Sequence, residues 1–158
     1  MNNFKAEVDL IYNWLEVAGF EFGDTSKVPL ALDLIKEEAE EMAEAVKSGN
    51  LEEVKDAFGD MFWVNCNLTF FLGIKSKDVQ AYMSAISKSN YSKFCHSEAE
   101  ARRTVVAYKS GEHPDKLGQS IKAKYRKRGN LYSIHREEDE KVLKSFYYNS
   151  VQSILNKK

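Results

Sequence analysis

Cysteine is scarce in this chain. Only Cys66 and Cys95 occur, too few for a disulfide framework, so a reducing cytoplasm is the expected compartment. Long hydrophobic runs are missing too. The most apolar stretch, Met61 to Ile74, is broken by Asn65, Asn67 and Thr69; it is shorter than the ~20 residues a membrane span needs and reads as a buried helix. The opening MNNFKAEVDL lacks the basic-then-apolar order of a secretory signal. Neither sign of charge is in excess, because 23 Lys and Arg face 24 Asp and Glu, which argues neither for nor against a polyanionic partner. Internal repeats and low-complexity linkers are absent. What remains is a chain of 158 residues, 43% apolar and 30% charged, the make-up of a soluble globular protein. It is long enough for one real core and too short for two independent enzymatic domains.

The stretch that organises the chain is Leu34 to Asp60, LIKEEAEEMAEAVKSGNLEEVKDAFGD, two helical patterns rich in carboxylates around a Ser-Gly-Asn break. At about 100° per residue, Leu34, Ile35, Met42, Ala45 and Val46 share an arc roughly 120° wide, with Glu38 inside it and Glu41 at its edge. Glu37, Glu40 and Glu44 point the other way with Lys36 and Lys47. Carboxylates on an apolar stripe cost several kcal/mol apiece unless a cation neutralises them, and no Lys or Arg interrupts this stripe. On the second helix Glu53, Asp56, Asp60 and Asn67 fall within roughly 60° of one another, on a different arc from Leu51, Val54, Phe58, Met61 and Phe62. Gly49 marks the expected reversal and Asn50 the next N-cap. Counted from Gly49, Glu41 and Asp56 sit at one height and Glu38 and Asp60 at another, roughly 11 Å and 17 Å from the turn. Four acids converging between two helices make an all-oxygen site suited to Mg²⁺, with Mn²⁺ as a substitute.

Around this pair the pattern is mostly helical. Val8, Ile11, Leu15 and Ala18 predict a helix over about 3–19, ended by Gly19. Pro29 suits the opening turn of the carboxylate helix, and Gly73 closes the second. Val79, Met83 and Ile86 mark a further helix, and Ser97 with Glu100 forms a capping box for one running to about Lys109. After Gly111 the composition changes. His113-Pro114-Asp115 punctuates a loop, a basic run Lys122 to Arg128 precedes Gly129-Asn130, and alternation over Leu131 to Arg136 predicts a small β-hairpin or three-stranded meander. The expected fold class is therefore mainly all-α, a four- to five-helix bundle over 1–110 with a β-hairpin extension over 111–158.

Glu37-Glu38-Ala39-Glu40-Glu41 matches the EExxE signature of the all-α nucleoside triphosphate pyrophosphohydrolases, and Asp56-Ala57-Phe58-Gly59-Asp60 resembles the segment carrying their ExxD. The chain thus resembles that superfamily, which includes MazG, dCTP pyrophosphatase and phosphoribosyl-ATP pyrophosphohydrolase. It departs from the pattern at Ala57, where the family has Glu; Asp56 or Glu53 is left as the substitute, and Asp60 is the firmer assignment. The resemblance implies that Glu38, Glu41, Asp56 and Asp60 hold Mg²⁺ on a triphosphate, with Glu37 or Glu41 taking the proton of an attacking water. Ser89-Asn90-Tyr91-Ser92-Lys93 looks like the SNxSK segment of phage and bacterial members, which implies nucleotide contacts from Asn90 and Lys93; a solvated helix end is the plainer reading. Lys141 to Ser145 resembles a late KVLK segment, so Lys144 either closes over the phosphates or is an edge-strand charge. Trp63, one turn after Asp60, is a candidate for stacking on a base, against the plainer role of core tryptophan.

The leading expectation is a Mg²⁺-dependent enzyme that hydrolyses a nucleoside or deoxynucleoside triphosphate to the monophosphate and pyrophosphate. It would work as a homodimer or dimer of dimers, in the cytoplasm or in a host's cytoplasm if phage-encoded, without membrane contact. A second reading keeps the fold as a non-catalytic nucleotide sensor or interaction subunit, because Ala57 removes a ligand. The least favoured is nucleic-acid binding through Lys122 to Arg128, where five basic residues surround Tyr125.

Overall fold

The computed structural model describes residues 4–156 and contains six α-helices and one three-stranded sheet among them. No described helix is long and apolar enough to cross a membrane. The chain forms two compact units, Met1–Ala81 and Tyr82–Lys158.

In the first unit, α1 (Phe4–Val17) buries Val8, Ile11, Tyr12 and Leu15, one stripe at helical spacing. These pack with Ala31 of α2 (Val28–Ser48) and with Cys66, Phe70 and Phe71 of α3 (Leu51–Phe71). The Tyr12 hydroxyl is anchored at 2.7 Å from the Ile74 carbonyl and 2.8 Å from the Thr69 hydroxyl. Pro29 stands in the first turn of α2, as its fixed φ favours. The helix ends where Gly49 turns left-handed at φ 74° and returns its N–H to the Ala45 and Val46 carbonyls. Asn50 then caps α3, its side chain accepting from the Glu52 and Glu53 N–H groups. The expected reversal is thus present at Gly49-Asn50, and α2 and α3 run back along one another. Ala45 and Ala57, both buried, are the small side chains at this end of the seam.

Helix α4 (Ser76–Tyr91) runs from the first unit into the second. There α5 (Glu98–Ser110) starts at Ser97, whose hydroxyl accepts from the Glu100 N–H, while the Glu100 carboxylate reaches back to the His96 N–H at 2.7 Å. It lays Ala101 and Tyr108 against Cys95, Ala123, Ile134 and Leu143. The sheet has the order β1 (Ala123–Arg128), β2 (Leu131–Arg136), β3 (Val142–Leu143), all antiparallel. Arg128 pairs with Leu131, so Gly129-Asn130 is a two-residue turn, and Gly129 supplies the positive φ it needs. A short α6 (Val151–Leu155) ends the described chain.

His113 is buried in this second unit, at 2% exposure. Its ring stacks on Tyr108 at 3.9 Å and meets Phe146 edge-on, and its Nδ1 accepts from the Asp115 N–H. That bond places the proton on Nε2. Burial pushes the His113 pKa below its ordinary value, with Lys144 adding to the effect and Ser145 and Asp115 opposing it. The unfolded chain therefore takes up this proton first as pH falls. The stability that neutral His113 contributes is complete above about pH 6.5 and is lost as pH drops from there through the lower folded value. The His113→Gln variant should show a smaller drop in Tm between pH 7.5 and 5.5 than the parent. An equal drop would assign the acid sensitivity to other groups.

Candidate metal centre between two helices

The α2 and α3 side chains facing one another past the Gly49 turn enclose a cavity of about 310 Å³ lined by Glu41, Glu44, Ala45, Glu53, Asp56, Ala57 and Asp60. Five carboxylates therefore share one small space. Glu38 stands beside it: burial first, then the nearby Glu41, Asp60, Glu37 and Asp56 carboxylates, hold its pKa above the usual range. Its Oε2 is buried without a hydrogen-bond partner. A carboxylate oxygen in that state is a donor atom for a cation or an unrelieved electrostatic cost.

No side chain of opposite sign relieves it. Among the described residues, Lys36 pairs with Glu40 and Lys55 with Glu52, and no ion pair reaches Glu38, Glu41, Glu44, Glu53, Asp56 or Asp60. Among the described residues no three of these acids converge closely enough to hold an ion. The donor set, hard oxygens on two facing helices with an orphaned one among them, is of the chemical type that Mg²⁺ or Mn²⁺ takes.

Both candidates for the acid that Ala57 lacks, Glu53 and Asp56, line the cavity. Ala57 itself is buried at its floor. Glu44, which periodicity puts on the wet face with Glu37 and Glu40, lines the cavity instead; it sits three residues after Glu41, on the flank of the arc that faces α3. Asn67, on the arc of the α3 acids, is buried with its Oδ1 unpartnered. The arc expected to be apolar is turned outward in part, with Leu51 and Phe58 about 70% exposed.

The remaining predicted residues lie elsewhere. Trp63 is half-buried, packed edge-on against Trp14 at 5.6 Å within the first unit's core. In the second unit the Lys93 ammonium donates to the Asn90 side-chain carbonyl at 2.7 Å, so these two do project together from the end of α4. Lys144 is paired with Asp115 at 2.5 Å and lies over the Tyr148 ring. A larger cavity in that unit, about 510 Å³, is bounded by Lys116, Lys122, Arg136, Glu137 and Glu138 among others. Its charges are of both signs and Arg136 is already paired with Asp139, so it has no convergent set of ligands.

Residues 21–89 match the model of the phosphoribosyl-ATP pyrophosphohydrolase family, which belongs to the MazG-like nucleoside triphosphate pyrophosphohydrolase superfamily. The matched segment contains α2, α3 and most of α4, hence every acid of the cavity. A stretch of 67 residues is 42% identical to an uncharacterised protein of Acanthamoeba polyphaga mimivirus, covering 42% of this chain and 26% of that protein. The chain thus spans about a quarter of the length of the curated relative it matches. No solved structure matches.

The unrelieved charge at Glu38 has a thermal consequence. With divalent ions chelated, Glu38→Gln should raise Tm by a few degrees, since ~1 kcal/mol is worth roughly 2–4 °C at this chain length. Mn²⁺ should then raise the Tm of the parent and leave that of the variant almost unmoved. A variant less stable than the parent in chelator would mean that the protein already compensates the charge.

Proposed function

We propose that this chain is a divalent-metal-dependent pyrophosphohydrolase that cleaves a nucleoside or deoxynucleoside triphosphate between the α- and β-phosphates. The observation that carries the reading is the acid-lined α2–α3 cavity with a buried, unpartnered Glu38 oxygen and no neutralising base. The family match over that same segment supports it.

Glu38, Glu41, Asp60 and either Asp56 or Glu53 would hold Mg²⁺ or Mn²⁺, the ion supplying charge neutralisation on the phosphates and acidification of water. The helix pair fixes these carboxylates on two rigid rods, so the triphosphate is positioned before reaction. Glu37 or Glu41, where not committed to the ion, accepts the proton of the attacking water. The water oxygen bonds to the α-phosphorus, the bond to the bridging oxygen breaks, and pyrophosphate leaves with the electron pair. Asn90 and Lys93 are proposed as nucleotide contacts on their likeness to the SNxSK segment. Lys144, held by Asp115, and Trp63, held by Trp14, would first have to leave those partners.

We also propose a homodimer or dimer of dimers. Val46, Leu51 and Phe58 on α2 and α3 are between 62% and 71% exposed, an apolar face of the kind that a second copy covers. Ala57 favours one other reading, a nucleotide sensor that retains the fold without turnover.

A screen of canonical and modified triphosphates with Mg²⁺ or Mn²⁺ tests the main reading through pyrophosphate release. Glu38→Gln and Asp60→Asn should each lower turnover at least ~100-fold with the helical circular dichroism unchanged. Near-native rates in either variant would refute the site. Absence of release from every triphosphate, combined with nucleotide-dependent thermal stabilisation, would select the sensor. Sedimentation should show an oligomer that Phe58→Glu dissociates; a monomeric parent would remove the proposed pairing.

A further inference from the structure

The near-zero net charge of the chain conceals a sharp division. Met1–Ala81 carries 7 Lys and Arg against 16 Asp and Glu, whereas Tyr82–Lys158 carries 16 against 8. Such asymmetry between halves is a sign of a polyanionic partner for the basic part.

Within the basic unit the cations are ordered by the sheet. Ala123 and Ile134 are buried towards α5, so the alternation of β1 turns Lys124, Arg126 and Arg128 to the opposite face. Across the ladder, Lys124 is opposite His135 and Arg126 opposite Ser133. Three cations thus stand every second residue, about 7 Å apart, on the edge strand of the sheet.

One carboxylate already occupies part of this row. Glu140 places one oxygen 2.5 Å from the Lys124 ammonium and the other 2.6 Å from the Arg126 guanidinium, with His135 Nδ1 at 3.9 Å. Glu140 is also the only non-glycine among the described residues at positive φ, 60°, a conformation that disfavours a side chain. A resident acid held in a strained turn across two cations mimics a bound phosphate, because Lys and Arg accept carboxylate and phosphate oxygens alike. Arg128, next in the row, has no carboxylate within ion-pair distance among the described residues. A lone phosphate would use only the Lys124–Arg126 pair; a row of three calls for a ligand with repeating phosphates.

We propose that the outward face of the sheet binds the phosphodiester backbone of a nucleic acid, a backbone phosphate displacing Glu140 from Lys124 and Arg126 while Arg128 takes the next. His135 and Ser133, bonded to each other at 2.8 Å, flank the displaced carboxylate as further polar contacts. Base identity has no reader on this face, so binding is indifferent to sequence. The site is independent of the acidic cavity and of the hydrolytic reading.

Fluorescence anisotropy of the full chain with labelled single-stranded RNA and duplex DNA of about 20 nucleotides, over a salt series, tests this. Affinity should fall as salt rises, with a log–log slope of about −1.4 to −1.8 for two neutralised phosphates. Arg126→Ala with Arg128→Ala should weaken binding about tenfold or more at 50 mM salt and reduce the slope by about one, equally for unrelated sequences. Glu140→Gln should do the opposite and tighten binding several-fold, a gain that misfolding would not produce. Pyrophosphate release should be unchanged in all three substitutions, so its failure and that of nucleic-acid binding are separate results. No binding at 50 mM salt, binding insensitive to these substitutions, or salt-sensitive association of the chain with itself in place of nucleic acid would each overturn the proposal.

Discussion

Electrostatic repulsion among carboxylates packed between α2 and α3 is the constraint on which the first unit depends. Folding brings Glu41, Glu44, Glu53, Asp56 and Asp60 around one cavity and buries an oxygen of Glu38 beside it. Each step raises the electrostatic energy of a metal-free chain. The arrangement persists because the helix pair is fixed from outside the cavity. Gly49 and Asn50 set the reversal, Ala45 and Ala57 permit close approach, and the aromatic core of Tyr12, Phe70 and Phe71 secures the far end of α3. On the proposed reading a cation would release this stored repulsion, so affinity for a divalent ion and the instability of the ion-free site would have one origin.

Much of this was legible in the sequence because helical periodicity is rigid. Glu38 in the apolar arc, Glu41 opposite Asp56, and the turn at Gly49-Asn50 all follow from 100° and 1.5 Å per residue. Glu44 escaped because periodicity locates an arc only to within about one residue's width, and the buried arc of α2 lies slightly to one side of its most apolar residues. Phe58 and Leu51 stand exposed on the apolar arc of α3; hydrophobicity shows that a side chain tends to be covered without showing by what. Trp63 and Lys144 were ambiguous in sequence, since a stacking tryptophan and a core tryptophan have the same spacing, and the partners Trp14 and Asp115 are distant in the chain.

Charge segregation was visible in composition only once the boundary was known. Counted over the whole chain the signs cancel, and a split taken near residue 110 would leave Arg102, Arg103, Lys88 and Lys93 on the wrong side. The compact units divide at Ala81, and with that boundary each half carries a large net charge of its own. Nucleic-acid binding by the basic run of β1 is the least favoured reading of the sequence because sequence does not show that alternate residues are turned to one face with Glu140 bridging two of them. Pairing register, which depends on the Gly129-Asn130 turn, converts a run of cations into a spaced row.

Ala57 departs from the signature of the family the chain resembles, and its position limits what that departure means. It is buried at the floor of the cavity, with Ala45 also lining it. A glutamate there would drive a longer, charged side chain into a buried part of the helix seam. Alanine lets the helices close, and the acids of α3 then come from its neighbours: Glu53 one turn before, Asp56 directly beside and Asp60 one turn after, all on the cavity wall. The α3 side therefore keeps three carboxylates. What changes is their reach, since Asp56 has one methylene fewer than Glu and starts from an adjacent position. An ion held by this set would sit displaced along α3 relative to one held by a glutamate at 57, and the α-phosphorus of the substrate would have to follow it. On the proposed hydrolytic reading, substrate choice, more than the presence of a metal, is the property that Ala57 would govern.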